Sequence, residues 1–173
     1  MAFGAETIIW ACYTAGWWHN QIVDENGQKT QQYDKVRRVN AELHRLGDAF
    51  MKYRRVSTTF VGFDGTDWLN GVGQKSLPSF ADAAVSDLRT TDNSPLIVGR
   101  MVSRSGNGGE ALFVCAADDP YDQAPRRHTV TLKANGHRLK VTSGKGSVKT
   151  KKTKQGAYTF EIKSSEGVLI EVE

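Results

Sequence analysis

Residues 96–116, LIVGRMVSRSGNGGEALFVCA, contain two short apolar runs separated by a glycine-rich segment. The runs at 96–102 and 110–116 have the length and composition of β-strands. The Ser-Gly-Asn-Gly-Gly segment between them has the residues that tight turns favour. The stretch therefore predicts two neighbouring antiparallel strands.

The same alternation of short strands and turns extends from about Val56 to the end of the chain. Turn signals occur at 135–136, 155–156 and 166–167. Asn-Gly at 135–136 predicts a hairpin, because both central residues of a type I′ turn need positive φ. Short strands at this spacing predict an antiparallel sandwich or barrel, and residues 64–95 predict a long connection with one or two weak strands. The other candidate strands are 57–63, 129–133, 138–142, 147–151, 157–162 and 168–172.

The first 55 residues have a different pattern. Thr7 to Cys12 is a continuous apolar run, which is typical of a strand buried on both faces of a parallel sheet. After Thr30, a plausible N-cap, apolar residues recur at three- and four-residue steps and predict an amphipathic helix of about six turns. We therefore predict an α+β fold, with a strand-loop-helix unit over 1–55 packed on a predominantly antiparallel β-sandwich over 56–173.

The predicted unit lacks the neighbours that it needs. A strand that is apolar on both faces requires adjacent strands and a covering helix on each side, whereas this region supplies one strand and one helix. Parallel strands also need long crossover connections, and only one strand-helix unit is present. The unit is predicted to be part of a larger α/β layer, either as a fragment or docked onto the sandwich or another copy.

Composition limits the class of protein. The chain has 173 residues, of which 39% are hydrophobic and 24% charged, and this excludes collagen, coiled coil and wholesale disorder. No apolar run approaches the ~18–20 residues that span a bilayer, so no membrane partner is predicted. The first residues lack the pattern of a signal peptide. Cys12 and Cys115 lie in apolar runs, where we expect buried reduced thiols.

Positive charge is concentrated between Arg126 and Gln155, a stretch with ten Lys or Arg residues and no acid. Such a stretch could follow a phosphate backbone, but it contains no aromatic residue for base stacking. Lysines on exposed or edge strands also prevent edge-to-edge pairing, and we favour that interpretation over a nucleic-acid partner. The alternative function is a non-catalytic β-sandwich module that binds a glycan or an acidic partner through the Arg126–Lys154 surface.

Together the strand, aromatic loop, helix and sandwich resemble the C-terminal end of a clan A glycoside hydrolase, a (β/α)8-barrel enzyme followed by an antiparallel β-sandwich. AFGAETIIWACYTAGWW at 2–18 resembles the eighth barrel strand with its loop. IVDENGQKTQQYDKVRRVNAEL at 22–43 resembles the start of the last barrel helix. PLIVGRMVSRSGNGGEALFVCAA at 95–117 and GVLIEVE at 167–173 resemble a strand pair and the closing strand of the sandwich.

The resemblance implies a retaining-type reaction between two carboxylates about 5–5.5 Å apart, carried on barrel strands upstream of this segment. No carboxylate here matches those positions, and Glu6 precedes its strand, at the barrel end away from the chemistry. We therefore predict a C-terminal portion of a carbohydrate-active enzyme that holds no catalytic residue and is not competent alone. Its expected partners are a carbohydrate and the missing barrel portion, or a homodimer partner.

The resemblance also implies candidate sugar contacts around the end of the strand. It places Trp10 near the strand-eight aromatic that stacks on a sugar ring. Trp17 and Trp18 would extend that platform, His19 or Asn20 would bond hydroxyls, and Tyr13 belongs to the same cluster. The alternative is that these aromatic side chains pack against the helix or the sandwich.

Neither a metal site nor a cofactor is predicted. His44, His128 and His137 lack the spacing of metal ligands, and we place His128 and His137 on exposed sandwich strands. Three acids between Asp118 and Asp122 could touch Ca²⁺ through their oxygens, but a solvated turn is the favoured interpretation.

Overall fold

The protein is described by a computed structural model over residues 1–11, 13–14, 21–63, 77–118, 124, 126–164 and 166–173. Within these ranges the chain forms one helix and ten strands, and the strands make two antiparallel sheets. The predicted α+β class with a β-sandwich core is confirmed. No helix in these ranges is long and apolar enough to cross a membrane.

The helix α1 spans Gln31–Phe50. The strands are β1 (Tyr53–Val61), β2 (Ser86–Thr90), β3 (Leu96–Ser103), β4 (Glu110–Ala116), β5 (Arg127–Lys133), β6 (Leu139–Ser143), β7 (Gly146–Ser147), β8 (Lys151–Lys152), β9 (Ala157–Lys163) and β10 (Gly167–Val172). A six-stranded sheet has the order β1-β3-β4-β10-β6-β7, and a four-stranded sheet has the order β2-β5-β9-β8.

The six-stranded sheet is covered on both faces, which gives the molecule three layers. One face packs against the four-stranded sheet through residues such as Val98, Leu112 and Ile170. The other face packs against Ala2 and α1; Phe50 of the helix meets Phe113 of β4 edge-on, with ring centroids 5.7 Å apart. Burial on both faces explains why β4 and β10 are almost continuously apolar instead of alternating.

The start of α1 is as predicted. The Thr30 side chain accepts a hydrogen bond of 3.1 Å from the backbone N–H of Gln32, which satisfies one of the free amides of the first turn. The Thr30 hydroxyl also donates to the carbonyl of Gln21 at 2.6 Å. The cap therefore fixes both the first turn of the helix and the segment that leads into it.

The prediction of a buried strand from Thr7 to Cys12 is wrong for residues 7–11. Residues 3–11 form no strand, and the side chains of Ile8 and Ile9 are 50% and 87% exposed. Cys12 lies outside the described residues. A strand needs a neighbour that pairs with its backbone, and the described sheets place no strand beside this segment.

The predicted hairpin at Asn135-Gly136 is also wrong. Both residues have the expected positive φ, of 41° and 95°. However, β5 and β6 belong to different sheets, so residues 134–138 connect the two layers. Turn chemistry fixed the local backbone but did not determine which strands pair.

Two further predictions changed in detail. In the long connection, β2 is the strand found among the described residues, while 64–76 lie outside them. The predicted strand at 147–151 is two short strands, because β7 joins the six-stranded sheet and β8 joins the other. The chain therefore crosses between the layers at 148–150.

Candidate functional site

The N-terminal segment, residues 1–11, lies beside α1, and consecutive side chains in it have different environments. Trp10 Nε1 donates a hydrogen bond of 3.0 Å to Asn40 Oδ1 on α1. Ile8 lines a groove of about 360 Å³ together with Leu43 of the same helix. Ile9, between them, is the most exposed large apolar side chain among the described residues. Ile8 and Trp10 thus face the helix, and Ile9 faces away from it.

The remaining predicted sugar contacts can be located only in part. The phenol ring of Tyr13 is exposed, and its backbone carbonyl accepts a 2.8 Å hydrogen bond from Val23 N–H. Trp17, Trp18 and His19 lie outside the described residues. The structure therefore places Trp10 on the helix side of its segment, and the five-residue cluster stays a prediction.

The beginning of the segment is fixed to the six-stranded sheet. The Thr58 hydroxyl on β1 donates a hydrogen bond of 2.9 Å to the carbonyl of Ala2. Gly99 on β3 lets that carbonyl approach, because a Cβ at this position would overlap it. Glu6 forms an ion pair with Arg104. The segment is thus held at its start and along one side, while its other side is open.

A buried histidine is the functional group whose setting the sequence analysis missed. His128 is 1% exposed, and the prediction that it lies on an exposed strand is wrong. Its Nδ1 is 3.1 Å from Asp92 Oδ2 and its Nε2 is 2.9 Å from Asp118 Oδ2. The signal was present in the alternation of β5, where His128 shares the buried face with Val130.

The two carboxylates determine the charge of this histidine. An ionised carboxylate only accepts hydrogen bonds, so both ring nitrogens must donate, as they do in the imidazolium ion. Burial lowers the pKa of His128, but the hydrogen bonds to Asp92 and Asp118 outweigh it and the net pKa is raised. Burial raises the pKa of Asp92, yet the hydrogen bonds from His128 and Ser94 bring it down to about 2.

The arrangement joins three parts of the fold. Asp92 follows β2, His128 is on β5, and Asp118 follows β4. Within the described ranges, no three His, Cys, Asp or Glu side chains are arranged to hold a metal ion. Residues 119–123 of the acidic loop lie outside those ranges. The geometry supports an ionic clamp that ties the two sheets together.

The basic stretch is neutralised along part of its length. Among the described residues, cations of the stretch pair with acids from outside it in Arg127–Glu161, Lys133–Asp87, Lys140–Glu171 and Lys145–Glu166. By contrast, Lys149, Lys151, Lys152 and Lys154 have no carboxylate partner within the described part of the chain. They lie on or beside β8, the edge strand of the four-stranded sheet. That position fits lysines that discourage edge-to-edge pairing.

A cleft of about 240 Å³ lies next to this unpaired group. Its walls are the connection between β5 and β6 and the turn between β8 and β9. Tyr158 lines it, and the ammonium of Lys152 is 5.5 Å from the centre of the Tyr158 ring.

Comparison with known proteins adds no assignment to this geometry. The sequence matches no protein-family model, no curated protein and no solved structure. The structure itself shows the class of fold, which is an α+β protein built on an antiparallel β-sandwich.

Proposed function

We propose that this chain is the C-terminal portion of a carbohydrate-active glycoside hydrolase. In this proposal residues 7–11, which form no strand in this chain alone, become one when the rest of the enzyme supplies the sheet neighbours, and the sandwich braces them. The observation that carries it is the exposed segment beside α1, with Ile9 87% exposed. The resemblance of residues 2–43 to the last strand and helix of a barrel supplies the class of partner.

The exposed apolar side chains of this segment carry an energetic cost. Burial of an Ile side chain stabilises a protein by about 1.5–3 kcal/mol, and Ile9 is left in water although the chain has a large core elsewhere. Its neighbours Ile8 and Trp10 are half-covered by α1. Sheet neighbours on both edges of this segment would pair its backbone, and the barrel that they close would cover Ile9.

The proposal assigns no catalytic group to this chain. Glycosidases of this kind use two carboxylates that flank the scissile bond. The carboxylate nearest to the segment, Glu6, is an ion-pair partner of Arg104 and acts as an anchor for the segment. General acid and nucleophile are therefore assigned to the missing portion, and this chain contributes the last strand and the sandwich that supports it.

The experiment is an association assay with a matched pair of variants. The chain is co-expressed with the barrel portion encoded upstream, and the complex is captured through a tag on the barrel portion. Ile9→Ser is expected to weaken capture about tenfold or more, and wild-type complex is expected to hydrolyse aryl-glycosides. Val56→Ser, which changes an exposed apolar residue on β1, is the control and is expected to leave capture unchanged.

Two results would overturn the proposal. One is hydrolysis by the chain alone that disappears when one of its own carboxylates is changed. The other is equal capture of wild type and Ile9→Ser, which would mean that residues 7–11 are not the contact.

A second candidate function is favoured by the unpaired lysines near β8. It is a non-catalytic module that binds a glycan or an acidic partner through the Arg126–Lys154 surface. Binding by exposed cations weakens steeply as salt rises, whereas stacking of a sugar on Trp10 would persist. Measuring retention on an acidic glycan between low and moderate salt separates the two modes of binding.

A further inference from the structure

We propose that the cleft between the β5–β6 connection and the β8–β9 turn binds a sugar residue that carries a carboxylate or sulfate group. The cleft belongs to the sandwich and uses none of residues 7–11. The choice of a sugar over other acidic ligands rests on the proposed function, whereas the choice of an anion rests on the charges around the cleft.

The charge of the cleft comes from one free ammonium. Lys133 lines one wall, but its Nζ is 2.7 Å from Asp87 Oδ2, so its charge is already balanced. Lys152 lines the opposite wall and has no carboxylate partner within the described residues. Lys151 and Lys154 flank it in the chain and add charge of the same sign. An anionic group in the cleft would therefore meet a net positive field and an available donor.

The other lining groups suit hydroxyls. The Tyr158 ring packs against the core, while its hydroxyl has no hydrogen-bond partner among the described residues. Gln155 and His137 are exposed on the rim and offer further donors and acceptors. This mixture of one ammonium with amide, imidazole and phenol groups fits a ligand that has several hydroxyls and one acidic group.

One wall of the cleft is fixed before a ligand arrives. Asn135 Oδ1 accepts a hydrogen bond of 2.9 Å from the Ser86 hydroxyl, and Asn135 Nδ2 donates to the carbonyl of Ala83 at 3.2 Å. These contacts tie the β5–β6 connection to the segment that contains β2. A wall that is held in place lowers the ordering cost of binding.

The test is a calorimetric titration of the whole chain with three oligosaccharides of equal length. They are a uronic-acid oligomer, a sulfated oligomer and a neutral glucose oligomer, and inorganic sulfate is titrated separately. We expect the chain to bind at least one acidic oligomer and to bind the neutral one about tenfold or more weakly. The two acidic oligomers distinguish carboxylate from sulfate as the recognised group.

Variants then locate the site. Lys152→Gln is expected to weaken binding of the acidic oligomer about tenfold, and Tyr158→Phe is expected to weaken it several-fold through loss of the hydroxyl. Lys149→Gln removes an exposed charge outside the cleft and is the control, with affinity expected to stay within about twofold of wild type. Each variant is checked for an unchanged thermal midpoint.

Three outcomes would overturn the inference. They are no binding of either acidic oligomer at millimolar concentration, equal losses for Lys152→Gln and Lys149→Gln, or inorganic sulfate binding as tightly as the oligomers. If Ile9→Ser did not weaken association, the proposed function would fail, but the anion preference of this cleft could still be measured. The two failures are therefore distinguishable.

Discussion

Trp10 Nε1 donates a hydrogen bond of 3.0 Å to Asn40 Oδ1, so the indole is turned toward α1. Ile9, the residue before it, is 87% exposed, so its side chain lies away from the helix. In the proposed function, this contact between a side chain of the N-terminal segment and one of the helix determines which side of the segment meets the missing portion.

Trp10→Phe is expected to loosen the segment without unfolding the protein. The change removes the N–H but keeps an aromatic ring against the helix, and an exposed hydrogen bond contributes only about 0.5–1.5 kcal/mol. Limited proteolysis within residues 7–11 should become faster while the global thermal midpoint hardly changes. Tyr13→Phe, which alters an exposed phenol near the same segment, is the control and should leave the cleavage rate as it is. Unchanged cleavage in Trp10→Phe would contradict the anchoring role.

The clamp of His128 with Asp92 and Asp118 predicts how stability varies with pH. The pKa of His128 is raised in the folded state, so its protonation stabilises the fold. This stabilisation is complete below the ordinary pKa of 6.5 and is lost as the pH rises through the folded-state pKa. The pKa of Asp92 is lowered in the folded state, so its ionised form stabilises the fold. This stabilisation is complete above the ordinary pKa of 3.8 and is lost as the pH falls toward about 2. The clamp should therefore contribute most between these two ordinary values.

Urea unfolding across this pH range, in wild type and His128→Gln, measures the contribution. Removing His128 leaves the Asp118 carboxylate, which is 9% exposed, without its partner, so we expect a loss of about 3 kcal/mol near pH 5 that shrinks at alkaline pH. His137→Gln is the matched control, since His137 is exposed. A loss that is equal at every pH would show that His128 acts by packing alone.

Gly99→Ala is expected to release the start of the chain from β3. A Cβ at Gly99 would overlap the backbone carbonyl of Ala2, and backbone cannot give way as a side chain can. Such overpacking costs about 1–3 kcal/mol. We expect a lower thermal midpoint together with faster amide exchange in residues 1–6.

Gly47→Ala is the comparison for that substitution. Gly47 lies within α1, and an added Cβ meets no atom within 4 Å. Replacing glycine by alanine inside a helix stabilises it by about 0.5–1 kcal/mol, so its thermal midpoint should rise. If Gly99→Ala raised stability in the same way, the close approach of Ala2 would not exist in solution.

Local signals predicted much of this fold. The apolar runs around the Gly-rich turn became β3 and β4, and the three- and four-residue periodicity after Thr30 became α1. These patterns depend on residues near each other in the chain, so a single sequence carries them. The capping hydroxyl of Thr30 is an example, since its bond is to Gln32, two residues away.

Pairing over long distances was not predictable in the same way. Asn135-Gly136 determined a positive-φ turn, but whether β5 and β6 share a sheet depends on β9 and β10, which compete for their edges. The burial of His128 depends on carboxylates from two separate loops. For the candidate site, the sequence identified the aromatic residues, and the direction in which Trp10 points needed the contact with Asn40.

The most direct test of the account is amide exchange in residues 7–11, measured in this chain alone and in the complex with the upstream barrel portion. The account predicts rapid exchange in the isolated chain and slowing of about 100-fold or more in the complex, because ladder hydrogen bonds would form with a neighbouring strand. Equal exchange in both samples, or a reading frame that supplies no barrel portion, would contradict it.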